Sequence, residues 1–374
     1  MRHLRFIRTR SVIAAAATAG LVCGLTATTA VAATAKKAML PTVLPTTVTW
    51  HKLTLLNGWH TGRGPFVLVS DPSYAVSGGI VYLDGGLYQA AGTNTEFAIL
   101  PAGARPAHKE YLTVYSGFSE TPGTVEIRPN GVMTASSPSG STRQDTSLAA
   151  LSYPAAGATW TNLSLVNGWH SGATAFGTGN PAVTVRSGIV YLAGSLFTHG
   201  TVTLAAHLGT NARPRSVVYI SVYEHGGLAG AVKITPSGSI YVHGLNAATQ
   251  TALDGISYPT NAANLSWHLL PLSTGWSSSQ SAWQTGDPEY AIRGPIVYLA
   301  GSMNFDTAST GNATFTSVPT AAQAINELDR QVYTFGVTTG ELILEPAPAV
   351  VLSTPMSNGQ QFTSLAGIAY PRNS

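Results

Sequence analysis

Short apolar runs set off by glycine, proline and asparagine recur along this chain, and their period is that of strands. Ile80 to Leu83 is an unbroken apolar run bounded by glycines, and Val217-Val218-Tyr219-Ile220-Ser221-Val222-Tyr223 is β-branched and aromatic. Ala231 to Thr235 alternates before the turn residues Pro236-Ser237-Gly238. Many such runs between turn residues predict an all-β chain of short antiparallel strands packed as a sandwich. One segment departs from the pattern. Ala321 to Arg330 clusters Ala, Gln, Asn, Glu and Leu, which predicts one short helix there.

The pattern repeats at long range. Trp50 to Trp59, ending Asn57-Gly58-Trp59, returns as Trp160 to Trp169 and as Trp267 to Trp276, with the same spacing between tryptophans each time. Gly79-Ile80-Val81-Tyr82-Leu83 returns as Gly188 to Leu192 and as Pro295 to Leu299. A closing block reads Leu151-Ser152-Tyr153-Pro154, then Ile256 to Pro259, then Ile368 to Pro371. The equivalent tyrosines Tyr82, Tyr191 and Tyr298 are 109 and 107 residues apart, far beyond the ~20–50 residues of a solenoid unit. A unit of that size buries enough surface to fold alone. The expectation is therefore three tandem homologous antiparallel β-sandwich domains, jelly-roll-like, over 49–156, 157–262 and 263–374. The links Ala155–Thr159 and Thr260–Asn264 are too short to let them separate far. Beads on a string and one closed assembly both satisfy them.

Residues 1–32 read as a signal peptide: Arg2, Arg5, Arg8 and Arg10 precede the apolar Ser11–Leu25 stretch, and Ala30-Val31-Ala32 offers a cleavage site. Residues 33–48 read as a flexible leader. The chain is then expected to be secreted, with no membrane attachment after cleavage. Cys23 lies in the signal peptide, so the mature chain is expected to be stable by burial without disulfides. Only 9% of residues are charged, against roughly 25% in average soluble domains, which argues against polyelectrolytes and coiled coils. The signal peptide takes four of the 19 basic residues and none of the 16 acidic ones, so the net charge falls to −1 and no nucleic-acid partner is expected. Charge is uneven between copies: 158–262 holds four bases and two acids, 265–374 three bases and seven acids. Opposite signs favour docking of these two copies.

The second copy carries, in order, Gly188 to Ser195, Leu208-Gly209-Thr210-Asn211-Ala212-Arg213-Pro214, Ile234 to Gly238 and Leu253 to Tyr258. This series resembles the β-sandwich receptor-binding or head domain of bacteriophage tail-fibre and baseplate proteins, also found in secreted actinobacterial proteins. The first copy matches with Leu100 to Pro106 and Ile127 to Gly131. The third departs, lacking the Gly-Ala-Arg-Pro turn and carrying Glu345-Pro346-Ala347-Pro348 in place of the Pro-x-Gly hairpin. In that family the domains assemble as trimers and contact cell-surface saccharides. The resemblance thus implies a monomer folded as an intrachain pseudo-trimer that binds carbohydrate.

Chemistry is sparse in the sequence. The chain has no Gly-x-Ser-x-Gly, no His-Glu-x-x-His and no glycine loop ending in Lys-Ser/Thr. His60 and His170 give way to Ser277 in the third copy, and Asp84 gives way to Ala193 and Ala300. His170, His199, His207, His225 and His243 have irregular spacing with no carboxylate cluster, which favours hydrogen-bonded or surface histidines over a metal site. Asp287 with Glu289, and Glu327 with Asp329, would each share one strand face, a spacing open to glycosidase or calcium chemistry but equally to a polar loop. No enzyme activity, metal or cofactor is expected. Six of the seven tryptophans occupy repeated positions and read as core. Trp283 has no counterpart and falls in the Ser/Gln-rich stretch 277–284; with Tyr115 and Tyr223 it is the expected carbohydrate-stacking residue. The alternatives are a structural or adhesion protein working through protein contacts, and a hydrolase with one active copy.

Overall fold

The structure, a computed structural model, describes residues 48–62, 69–116, 121–137, 143, 145–305, 313–346, 350–353 and 361–372. Each sequence copy supplies a four-stranded antiparallel sheet and a larger one, of seven, eight and seven strands in turn. In the first, a four-stranded sheet runs His51–Lys52, Ser73–Ser77, Ile80–Asp84, Leu151–Pro154. Its partner runs Trp59–Thr61, Gly86–Gln89, Thr146–Ser147, Glu110–Ser116, Thr121–Ile127, Val132–Ser136, Glu96–Ile99. The second copy repeats the smaller sheet with Thr161–Asn162, Ala182–Arg186, Ile189–Ala193 and Ser257–Pro259. The third does so with Trp267–Leu269, Glu289–Arg293, Ile296–Ala300 and Ala369–Pro371. The chain is all-β, and its two sheets per copy face each other across a core. Val81 and Leu83 from one sheet meet Leu112, Val114, Val125 and Ile127 from the other.

The repeated blocks are the fittings of this sandwich. Asn57 and Gly58 turn at φ +54° and +74°, a conformation that suits Asn and Gly. The turn brings Asn57 Nδ2 to the Glu96 carbonyl at 2.9 Å, and Asn167 repeats the bond to Leu204 at 3.0 Å. Trp59, Trp169 and Trp276 sink into the three cores, as the repeated tryptophans predict. The closing tyrosines pin a 3₁₀ turn in each copy: Tyr153 Oη donates to Ala104 at 2.7 Å, Tyr258 to Ala212 and Tyr370 to Ala322 at 2.8 Å.

Those turns correct the expected helix. Within 321–330 only Thr320–Ala322 is helical, as the 3₁₀ turn that the other copies form at Ala102–Ala104 and Thr210–Ala212. From Leu328 the chain is strand, because Leu328, Asp329 and Arg330 pair with Leu344, Ile343 and Leu342. Intrinsic helix preference, worth a few tenths of a kcal/mol per residue, yields to a seven-residue ladder.

Equivalent positions of the three copies meet at shared places. Along Ile80–Asp84, Val81 and Leu83 enter their own core while Ile80 and Tyr82 point the other way. There they join Ile189, Tyr191, Ile296 and Tyr298 in one cluster, half covered by Trp50, Trp160 and Trp267. A strand buried on both faces reads as a continuous apolar run, which explains the Ile-Val-Tyr-Leu block. Strands Glu110–Ser116, Val218–Glu224 and Leu328–Thr334 also touch in all three pairings. A linear array leaves its end members apart, so these contacts favour the closed arrangement. The links are tied down too: Ala156 N donates to Arg105 at 2.7 Å, and Asn261 N to Arg213 at 2.8 Å.

Candidate functional site

The three aromatic residues singled out in the sequence lie at junctions between copies. Tyr115, Tyr223 and Tyr333 are equivalent, and each faces the position one strand-turn earlier in a neighbouring copy. Tyr223 stacks on Tyr111 with ring centroids 4.8 Å apart, and Tyr333 on Tyr219 at 5.3 Å. Asp329 holds the third such position, so Tyr115 is buried and hydrogen-bonds Glu341, with Asp145 and Asp329 close by. Trp283 ends the one-turn helix Gln280–Trp283 and is half-buried against Tyr219, Phe335 and Phe362, the last at 4.7 Å. Protein rings or carboxyl groups of a neighbouring copy thus pack against each of the three. Strand ends followed by glycine look exposed in a lone domain.

The carboxyl groups are likewise taken up in contacts between copies. Glu289 ion-pairs with Arg215, whose guanidinium lies 5.0 Å from the Trp267 ring, joining the more basic second copy to the more acidic third. Asp329 is buried at the third junction, where burial and the neighbouring Glu341, Glu327 and Asp145 push its pKa well up. At the first junction Glu110 and Asp254, both buried, share a hydrogen bond. Asp254 also accepts from the Tyr111 N–H at 2.9 Å and the Gly194 N–H at 2.7 Å. Among the described residues no group of three or more His, Cys, Asp or Glu stands where it could hold a metal ion, and no helix is long and apolar enough to cross a membrane.

A cavity of about 620 Å³ opens in the second copy and is walled on one side by the third copy's Gly336-Val337-Thr338 hairpin. That volume lies within the roughly 300–1,000 Å³ of small-ligand sites. Its lining mixes apolar groups, Val202, Leu245 and Val337, with hydroxyls and backbone of 198–203 and with His243. Leu245 is 92% exposed and Val202 50% exposed, so the rim offers bare hydrocarbon. Trp169, at the base, donates its indole N–H to Val202 at 2.9 Å, fixing the loop that forms the wall. Burial and the Lys233 charge hold the His243 pKa below its ordinary value, keeping that ring neutral near pH 7.

Two features mark this cavity as built. Val337 sits at φ +62°, a conformation costly for a β-branched residue, where the second copy has Gly227 at φ +79°. Behind Gly244 lies Glu224, fully buried, its Oε2 accepting from the Asn246 N–H at 2.8 Å while Oε1 has no described partner. Glycine is required around it. A Cβ on Gly244 would stand 1.7 Å from Glu224 Oε1, and one on Gly230 2.2 Å away. Ser116 and Thr334 hold the equivalent position in the other copies, so this carboxyl is peculiar to the copy with the cavity. Burial pushes it up to about 7.

Comparison with family models, curated proteins and solved structures gave no match to this chain. The likeness to phage receptor-binding modules rests on the sequence blocks alone.

Proposed function

We propose that this chain is a secreted, non-enzymatic binding protein whose second copy takes a neutral, hydroxyl-bearing ligand, of which a surface or cell-wall saccharide is the leading class. The observation that carries the reading is the cavity of about 620 Å³, whose lining pairs exposed hydrocarbon with threonine hydroxyls and backbone groups. A sugar presents the same two chemistries, C–H faces and hydroxyls. The neighbouring ionisable groups are held neutral or buried, which suits an uncharged ligand and predicts little salt dependence. The phage-fibre-like sequence blocks and the leader agree with a surface role outside the cell.

The test is binding of the chain from residue 33 to neutral polysaccharides at low and high salt. Saturable, salt-insensitive binding that falls at least tenfold in Leu245→Asp, with an unchanged melting temperature, supports the reading. Absence of binding across the panel sinks it. The bare Leu245 and Val202 side chains favour one second reading, a protein partner docked on this rim. Its mark is self-association or partner capture lost in the same variant.

A further inference from the structure

We infer that the centre where the three copies meet binds a single small monovalent anion of halide size, held by Arg186, Arg293 and a tyrosine hydroxyl. The inference is independent of the cavity in the second copy.

A small cavity of about 30 Å³ lies at this centre, lined by Tyr82, Tyr191 and Tyr298 together with Arg186, Arg293 and Ser77. It has room for one or two water-sized groups and excludes a sulfate or a sugar. The last residue of the second strand in each smaller sheet is Ser77, Arg186 and Arg293 respectively, so sequence equivalence delivers both guanidiniums to one spot. Each reaches over a neighbouring copy. Arg186 Nη1 lies against Gly79, where a Cβ would stand 2.6 Å away, and Arg293 Nη1 lies against Gly188, where a Cβ would stand 3.0 Å away, while donating to the Ala263 carbonyl of its own copy at 3.4 Å.

Both arginines are half-buried, and among the described residues neither has a carboxylate within ion-pair distance. Two like charges beside one partly dehydrated cavity repel each other, and an anion between them removes that cost. The tyrosines add to this: Tyr82, Tyr191 and Tyr298 all line the same cavity, and a hydroxyl there can turn its O–H toward an anion. No carboxyl group lines the cavity, so two guanidiniums and hydroxyl donors face it without a fixed negative charge, an arrangement that favours an anion over a cation.

Crystals soaked in bromide are expected to show an anomalous peak in this cavity, within contact of Arg186 and Arg293. In solution the melting temperature is expected to rise by about 2 °C for each tenfold increase of chloride above its dissociation constant, relative to gluconate at equal ionic strength. Arg186→Met with Arg293→Met is expected to abolish that rise. If that variant does not fold, the chloride-against-gluconate comparison on the unaltered chain still decides. A flat response overturns the inference even where a peak is present, since the peak is then an adventitious ion only. A chloride response with no peak at the centre also overturns it.

Discussion

Glu110 of the first copy hydrogen-bonds Asp254 of the second, a carboxyl pair that neither equivalent junction carries at those positions. At the same places the second and third copies oppose Val218 with Ala366, and the third and first oppose Leu328 with Ala149. Burial and the neighbouring Asp254 raise Glu110 well above the usual carboxylate range, so Glu110 keeps its proton and donates it. The acceptor is held by two backbone N–H groups.

Removal of one partner leaves the other buried without its bond. Asp254→Ala is expected to cost on the order of 2–5 kcal/mol, because it also strands the Tyr111 and Gly194 N–H groups. Glu110→Leu with Asp254→Ala, which copies the apolar junctions, is expected to cost less than the sum of the single changes by at least about 1 kcal/mol. Denaturant unfolding of the four members of the cycle measures this. Strictly additive losses would refute the coupling.

Buried carboxyl groups make stability depend on pH in an unusual direction. Burial lifts Asp84 to about 6 and Asp145, Glu224 and Asp254 to about 7, against ordinary values of 3.8 to 4.5. The folded chain then holds protons that the unfolded chain has released. Their contribution is complete below about pH 4 and is lost as pH rises through about 6 to 7, each group adding a slope of about 1.4 kcal/mol per pH unit within its window. His243 opposes the trend, since its pKa is lowered in the folded chain. Melting temperatures are expected to fall from pH 4.5 to pH 7.5, and Glu224→Gln is expected to flatten the fall. A melting temperature that climbs over this range contradicts the assignment.

The sandwich was legible because its signals are local. Alternation, Asn-Gly turns and the Tyr-Pro block each act within one copy, and each reappears as a strand, a positive-φ turn or a pinned 3₁₀ turn. What the chain hides is which face of a strand meets another copy. Tyr115 and Tyr223 occupy alternate positions that a lone domain would show to solvent, and the neighbouring copy covers them. The cavity was illegible for the same reason. Leu245 and Val337 converge from loops of two copies, Glu224 ends a strand behind Gly244, and none of them belongs to a repeated block.

Glu224 and its two glycines form a unit that one substitution breaks and a second restores. Gly244→Ala puts a methyl group 1.7 Å from Oε1 of the fully buried Glu224, so the carboxyl must shift within the packed interior. The variant is expected to lose about 3 kcal/mol or more, the order of an overpacked site with a disturbed buried acid. Glu224→Ser, which copies Ser116, vacates that space, so Gly244→Ala is expected to cost under about 1 kcal/mol in that background. Chemical denaturation of the two single variants and the double variant reports the rescue. Equal losses in both backgrounds would mean that the glycine is needed for its backbone alone.

Trp283 separates a stacking platform from a junction residue. Its ring meets Phe362 at 4.7 Å, Tyr219 at 5.8 Å and Phe335 at 5.9 Å, so it closes an aromatic cluster shared by the second and third copies. Trp283→Ala is expected to destabilise the chain by about 3 kcal/mol, the low end for a large aromatic because the ring is only half-buried. Trp283→Phe keeps most of the contact and is expected to cost less than half as much. Under conditions where the alanine variant remains folded, its affinity for a cavity ligand is expected to change less than that of Leu245→Asp. A Trp283→Ala chain with unchanged melting and lost binding would instead make this ring a ligand contact, and the junction role argued from its three aromatic neighbours would fail.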